Sequence, residues 1–278
     1  MKSRFSELSY AFALTDNLIR RIGYPTVSAP TFPSTAAEGK KGGGYDLKLS
    51  YPGAALFLQF KLSEQMSSKS ALEFKKGAFP QMIGGVKAPV YRFYLRPLKY
   101  SRQTSLMLKL EKRHQHVYYV APLFHTLSEL NQHYADKRVD LESRFLKPSI
   151  IKKMPDKQEH FVSFRKSGKP WRFSVEPTEL EGTLSNEDLV AGLRASLVPD
   201  TSLETVITKL LVDMRESIIE DADDIDGPVR ARVPTRAAEL AALEGSDLPL
   251  LAQAEFLART YFDAHLLTFV AATKDQAH

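Results

Sequence analysis

The chain opens with apolar residues at helical spacing. Phe5, Leu8, Phe12, Leu18, Ile19 and Ile22 form the run, and Gly23 with Pro25 closes it, so residues 4–22 are predicted as a helix. Residues 24–44, rich in Pro, Thr, Ser and Gly, read as a loop. The period then switches to two. Leu47, Leu49 and Tyr51 alternate with Asp46, Lys48 and Ser50, and beyond Pro52-Gly53 the residues Leu56, Leu58, Phe60 and Leu62 alternate with Phe57, Gln59 and Lys61. This is the pattern of a β-hairpin turning at Pro52-Gly53. A symmetric turn there sets Asp46 opposite Gln59 and Lys48 opposite Phe57, with Lys61 two residues on along the same face.

Residues 63–89 are mixed and loop-like, with a short helix around 71–76. Val90–Leu95 reads as a strand, 101–113 as a helix, Val117–Val120 as a compact apolar strand stopped by Ala121-Pro122, and Leu123–Tyr134 as a helix. His160–Phe164 and Trp171–Val175 form a second predicted hairpin across Lys-Ser-Gly-Lys. After Pro177 helices dominate: Glu187–Leu197, Ser202–Ile219, a short stretch at Ala237–Leu243 and a long amphipathic helix over Leu248–Ala272, with an acidic break at 220–228. The expected class is α/β, a mixed sheet core flanked by helices with a C-terminal helical region. Two domains are expected, 1–176 and 177–278.

Charge sharpens that division. Residues 1–175 carry 30 Lys and Arg against 13 Asp and Glu, whereas residues 176–278 carry 8 against 20. A basic front half points to a polyanionic partner, although two oppositely charged halves can also simply neutralise each other. The chain has no cysteine, which removes disulfides and thiolate metal sites and fits a reducing, cytoplasmic setting. No apolar run of membrane-spanning length and no signal-peptide core is present, so no membrane association is expected.

The hairpin carries the chemistry. A carboxylate and an amide oxygen are hard ligands suited to Mg²⁺ or Mn²⁺, and a neighbouring lysine can orient water or stabilise charge on a phosphate. Asp46, a hairpin spacer and Gln59-Phe60-Lys61 together resemble the D…(E/Q)xK signature of the PD-(D/E)xK nuclease superfamily, and the order helix, strands, helix, strand over the first 125 or so residues resembles its core. The resemblance implies a restriction-endonuclease-like fold and metal-dependent phosphodiester hydrolysis, with a role in bacterial restriction or phage defence. It implies metal ligation by Asp46, Gln59 and the Phe60 carbonyl, assistance from Lys61, and a further acidic residue, either Glu7 or Glu38. This chain departs from the pattern in having Tyr45 where the family has Pro, and a neutral Gln59 where Glu is commoner.

Nucleic acid, with DNA favoured, is the expected partner. Lys40 and Lys41 beside Gly42-Gly43-Gly44, then Lys75, Lys76, Arg96, Lys99 and Arg102, are the candidate phosphate contacts. They are interleaved with Lys87, Arg92 and aromatics that could stack bases, although the aromatics of Val90–Leu95 read first as core. His114 and His116 have a spacing that could ligate a metal, but no Cys or carboxylate completes the set, and a polar helix-to-strand boundary is the better reading. His160 reads as a surface histidine. The acidic run from Glu220 to Asp226 reads as a solvated loop. The C-terminal helices offer a face for a homo-oligomer or a partner protein. The rival to an enzyme is a non-catalytic nucleic-acid-binding or assembly subunit that retains a nuclease-like fold.

Overall fold

The structure is a computed structural model. It describes residues 1–26, 53–68, 71–80, 82–83, 86–87, 89–97, 101–152, 159–174, 176–182, 185–197, 202–223, 233–246 and 248–270. The chain is of the mixed α/β class, with one mixed sheet, one antiparallel sheet and flanking helices. It divides into two units, each assembled from separated segments: Met1–Gly23, Gln59–Thr104 and Tyr118–Ala191 in the first; Tyr24–Leu58, Ser105–Val117 and Gly192–His278 in the second. Residue 176, where the charge changes sign, lies inside the first unit. Among the described residues no helix is long and apolar enough to cross a membrane.

In the first unit, α1 (Glu7–Ile22) starts at Ser6, whose hydroxyl accepts the Ser9 N–H at 3.0 Å, and stops at Gly23 in the left-handed conformation. Its buried stripe is Tyr10, Leu14, Leu18 and Ile22. Leu8 and Phe12, expected on the core face, are instead more than half exposed. The helix carries two apolar stripes, and spacing alone does not say which one the core takes.

Strand β1 (Gly53–Phe60) passes from the second unit into the first. It is buried on both faces, as a central strand must be: Leu56, Phe57 and Leu58 are wholly inaccessible. After β1 come β2 (Glu64–Met66), α2 (Leu72–Lys75), a two-residue ribbon of β3 (Met82–Ile83) and β4 (Val86–Lys87), and β5 (Val90–Leu95). Then α3 (Gln103–Arg113) leads to β6 (Val117–Pro122), α4 (Leu127–Ala135), β7 (Ser143–Leu146), α5 (Pro148–Ile151), β8 (His160–Phe164), β9 (Trp171–Phe173), β10 (Pro177–Glu179) and α6 (Asn186–Ser196).

The antiparallel sheet, β10-β9-β8-β5-β2, lies wholly in the first unit. The 160–173 hairpin is as expected. Of the sheet's outer strands, β2 falls where the sequence read as loop and β10 where no element was expected, because three-residue strands with polar residues carry no measurable period. Its registers set Glu64 opposite Arg92 and Arg92 opposite Ser163. Above that row Glu73 of α2, 1% exposed, takes the Ser163 hydroxyl at 2.9 Å and the Arg92 guanidinium at 3.5 Å. Arg92 also pairs with Glu64 at 3.2 Å and lies over the Phe161 ring. Its charge is therefore committed inside the unit rather than to a phosphate.

In the second unit, α7 (Leu203–Asp223), α8 (Val233–Glu244) and α9 (Leu250–Phe262) are followed by β11 (His265–Val270). The long terminal helix expected to Ala272 ends ten residues early. Asp263 turns left-handed with φ 50° and closes α9, and the next residues pair antiparallel with β1, from Gly53–Val270 to Leu58–His265. Pairing along a central strand outweighs the continuing apolar stripe. Gly53 is needed at the start of β1, because a Cβ there would overlap Leu203 Cδ1 at 2.3 Å. The acidic break is corrected over 220–223, where α7 continues to Asp223, and its remaining residues 224–228 lie outside the described ones. Glu220 pairs with Arg113, and Asp221 is fully buried rather than solvated. On its other edge β1 runs parallel to β6, with the Phe57 N–H donating to His116 O in the second unit and the Lys61 N–H to Val120 O in the first, both at 2.9 Å. The mixed sheet has the order β11-β1-β6-β7.

Candidate functional site

β1, α3 and β6 form a parallel crossover, and in such units the carboxyl ends of the strands are where ligands are bound. The carboxyl end of β1 is Gln59-Phe60-Lys61. Alternation sends Phe60 to one face, where Tyr10 of α1 meets it edge-on with ring centroids 5.8 Å apart. Burial pushes the Tyr10 hydroxyl well above the ordinary phenol range, and it sits 2.8 Å from the Ser143 hydroxyl. Phe57, Gln59 and Lys61 share the opposite face. The helix α3 covers it, with His114 just past its end against Phe57 in the second unit and Gln103 at its head on Lys61 in the first.

Gln59 is 1% exposed and Lys61 half-buried. Lys61 Nζ donates to Gln103 Oε1 at 3.2 Å. The Gln103 amide oxygen orients the ammonium at the strand end without itself neutralising it. Gln103 itself begins α3, its N–H directed at Ser101 Oγ at 3.4 Å. Gln103 is the member of this site that sequence reasoning missed. The only available signal was a polar residue at the head of the helix after the strand.

The other candidates fall as follows. Asp46, Glu38, Lys40, Lys41 and Lys99 lie outside the described residues, as does Lys48. The expected partner of Lys48, Phe57, stands opposite Leu266 of β11 on one edge and bonds His116 on the other. Glu7 is exposed in the first turn of α1, where an acidic residue complements the helix dipole. Lys75, Lys76 and Arg96 are exposed, and Arg102 is half-buried next to Gln103 in the chain. Of the Val90–Leu95 aromatics read as core, Tyr91 and Phe93 are buried, with Phe93 stacked on Tyr119 at 6.1 Å, whereas Tyr94 is exposed.

Gln59 and the Phe60 carbonyl are oxygen donors of the kind Mg²⁺ accepts, but both are neutral, and that ion is ordinarily held through at least one carboxylate. Among the described residues no group of three His, Cys, Asp or Glu side chains could hold a metal ion. The fit to a divalent ion therefore rests on adding Asp46 to Gln59.

The histidines are engaged separately. His116 Nε2 lies 2.7 Å from Ser196 Oγ, whose own proton goes to Gly192 O at 3.0 Å. His160 is wholly buried against Ser174, 2.7 Å away, which corrects its reading as a surface residue. His114 Nε2 lies 2.9 Å from Asp213 Oδ2 in the second unit. Burial lowers the His114 pKa, Lys209 and Arg113 add to this, and Asp213 opposes it. A histidine whose folded pKa is lowered binds its proton more readily in the unfolded chain. Its stabilising contribution is thus complete above the unfolded pKa of about 6.5 and is lost as the pH falls below it. Thermal stability should fall between pH 7 and 5, and the fall should be shallower in His114→Gln; identical slopes would remove His114 from the account. Compared with protein-family models, with curated proteins and with solved structures, the chain matches none.

Proposed function

We propose that the chain is a metal-dependent nuclease, acting on DNA, with its site at the carboxyl end of β1. The observation that carries the reading is the ammonium of Lys61, held by the Gln103 amide at the end of a buried central strand that begins a parallel crossover. Asp46 and Gln59, with the Phe60 carbonyl, would hold Mg²⁺ or Mn²⁺, and Glu7 or Glu38 would add negative charge. Bound there, the ion would neutralise phosphate charge and acidify water. Lys61 orients the attacking water and stabilises the charge that develops on the phosphate. Lys40, Lys41, Lys75, Lys76, Arg96, Lys99 and Arg102 supply backbone contacts, whose affinity falls as salt rises. A restriction or anti-phage role belongs to the resemblance and is the widest step of the proposal.

One observation favours the non-catalytic alternative. Gln59 is both neutral and nearly inaccessible, which suits a strand interior better than an ion-binding surface. Plasmid, linear and single-stranded substrates incubated with Mg²⁺ or Mn²⁺ separate the two readings. Metal-dependent cutting that disappears in both Asp46→Ala and Lys61→Ala is the expected result. Salt-sensitive binding without cutting, unchanged in both variants, would establish the binding subunit instead.

A further inference from the structure

Within the second unit, the end of α3 is clasped by α7. Arg113, the last residue of α3, meets two carboxylates. Its Nε and Nη2 donate to Glu216 Oε2 at 3.3 and 3.2 Å, and its Nη1 and Nη2 donate to Glu220. On the next residue, His114 Nε2 lies 2.9 Å from Asp213 Oδ2. Asp213, Glu216 and Glu220 follow one another at helical spacing and form a stripe along α7. Lys109, Lys112 and Arg113 share one face of α3 by the same rule. That face meets the stripe. Arg113 holds the Glu220 carboxyl below the usual carboxylate range, and Lys109 and Lys112 add to the effect.

The acids of this seam are open to solvent, and the cation they hold is covered. The Arg113 side chain is 21% exposed, whereas Glu216 and Glu220 are 54% and 49% exposed. The side chains that reach the surface here cancel in charge. Lys109, Lys112 and Arg113 of α3 and Lys209 of α7 stand against Glu111 of α3 and Asp213, Glu216 and Glu220 of α7. Exposed ion pairs add little to stability, and turning two glutamate side chains needs only rotamer changes, so no helix has to move. With Glu216 and Glu220 turned away, the same surface is left positive around a guanidinium that already engages two oxyanions. A phosphate is taken by arginine through the same bidentate geometry. The charge division of the chain points the same way, because α3 lies in the basic residues 1–175 and α7 in the acidic residues 176–278.

We propose that Lys109, Lys112 and Arg113 form a phosphate-contact ridge for nucleic acid, and that Glu216 and Glu220 occupy it in the free chain. The assignment rests on the reading of nucleic acid as the partner and adds a masked surface to the cations named above. Binding of a labelled DNA duplex by the full chain at low salt tests it. Glu216→Gln with Glu220→Gln should bind about tenfold more tightly than wild type, and its log affinity should fall more steeply with log salt, by about one to two units of slope. Glu216→Gln alone should give part of the gain. Adding Lys112→Gln and Arg113→Gln to the pair should abolish it, with circular dichroism unchanged. A control pair, Glu181→Gln with Glu204→Gln, is exposed, lies off the stripe and changes the net charge equally; it should move affinity far less. Unchanged affinity in the Glu216 and Glu220 variants, or an equal gain in the control pair, would overturn the ridge and leave the nuclease reading standing. Absence of duplex binding by every one of these chains would overturn both.

Discussion

Lys61→Ala should retain nucleic-acid binding within a few-fold and lose metal-dependent cleavage by about two to four orders of magnitude, the range measured when one charge-stabilising or proton-handling group is removed from a site. The asymmetry between binding and rate follows from geometry. In the proposed nuclease, binding would be spread over many exposed Lys and Arg, and deleting one half-buried ammonium would remove little of it. The proposed rate would depend on a charge placed where phosphate charge develops, and Lys61 is held by its own backbone bond to Val120 O and by Gln103. Lys61→Arg should rescue little, because a planar guanidinium does not reproduce a compact ammonium on the same acceptor. Gln103→Ala should lower the rate less than Lys61→Ala does, since it loosens the ammonium without deleting it. Single-turnover cleavage and a binding titration on the same preparations check all three. Parallel loss of binding and rate in Lys61→Ala would show a phosphate contact rather than a catalytic one.

Asp140→Ala should cost about 3 kcal/mol, toward the lower end of the penalty for breaking a buried ion pair, because Arg21 keeps some solvent. Asp140 is completely buried, and Arg21, with its side chain one third exposed, engages it through two nitrogens. Asn186 Nδ2 donates to the same carboxylate at 3.0 Å. Arg21 also reaches the Lys137 carbonyl at 3.0 Å, and the Val139 N–H is held by Asn17 Oδ1 at the same distance. One carboxylate thus ties α1, the turn after α4 and the start of α6 together within the first unit. Removing it takes the carboxylate partner from Arg21 and leaves the buried Asn186 amide donor without this acceptor. Against a total stability of about 5–15 kcal/mol for a domain this is a large fraction. Urea denaturation should show a lower midpoint with an unchanged slope. The double variant Asp140→Leu with Arg21→Met should recover part of the loss, since an apolar pair carries no desolvation cost. A midpoint within experimental error of wild type would mean that the pair is dispensable.

Elements with a clean period were legible in the sequence: α1 with Gly23, α3, β5, β6, α4 and the β8–β9 hairpin, although β6 runs on through the Ala121-Pro122 expected to stop it. The terminal strand was not. Leu266 and Phe269 continue the helical spacing of α9, and the pairing that converts them into β11 comes from β1, more than two hundred residues earlier in the chain. The same distance hid the occupied edges of β1, which local alternation presents as one arm of a simple hairpin. Within the site, Gln59 and Lys61 were legible as residues sharing one face, because a strand's period is two. Gln103 was not, since nothing local records a contact made 42 residues away. The direction of α1 was half legible. Periodicity found its apolar residues, but only packing decided that Tyr10 goes inward and Phe12 outward.

The proposed nuclease requires the end of β1 to hold a divalent ion beside Lys61. Calorimetric titration of Mn²⁺ into the nucleic-acid-free chain tests it most directly. A saturable site that Asp46→Ala abolishes and Lys61→Ala leaves intact is the expected result. Absence of saturable binding, or a site indifferent to Asp46→Ala, would contradict it.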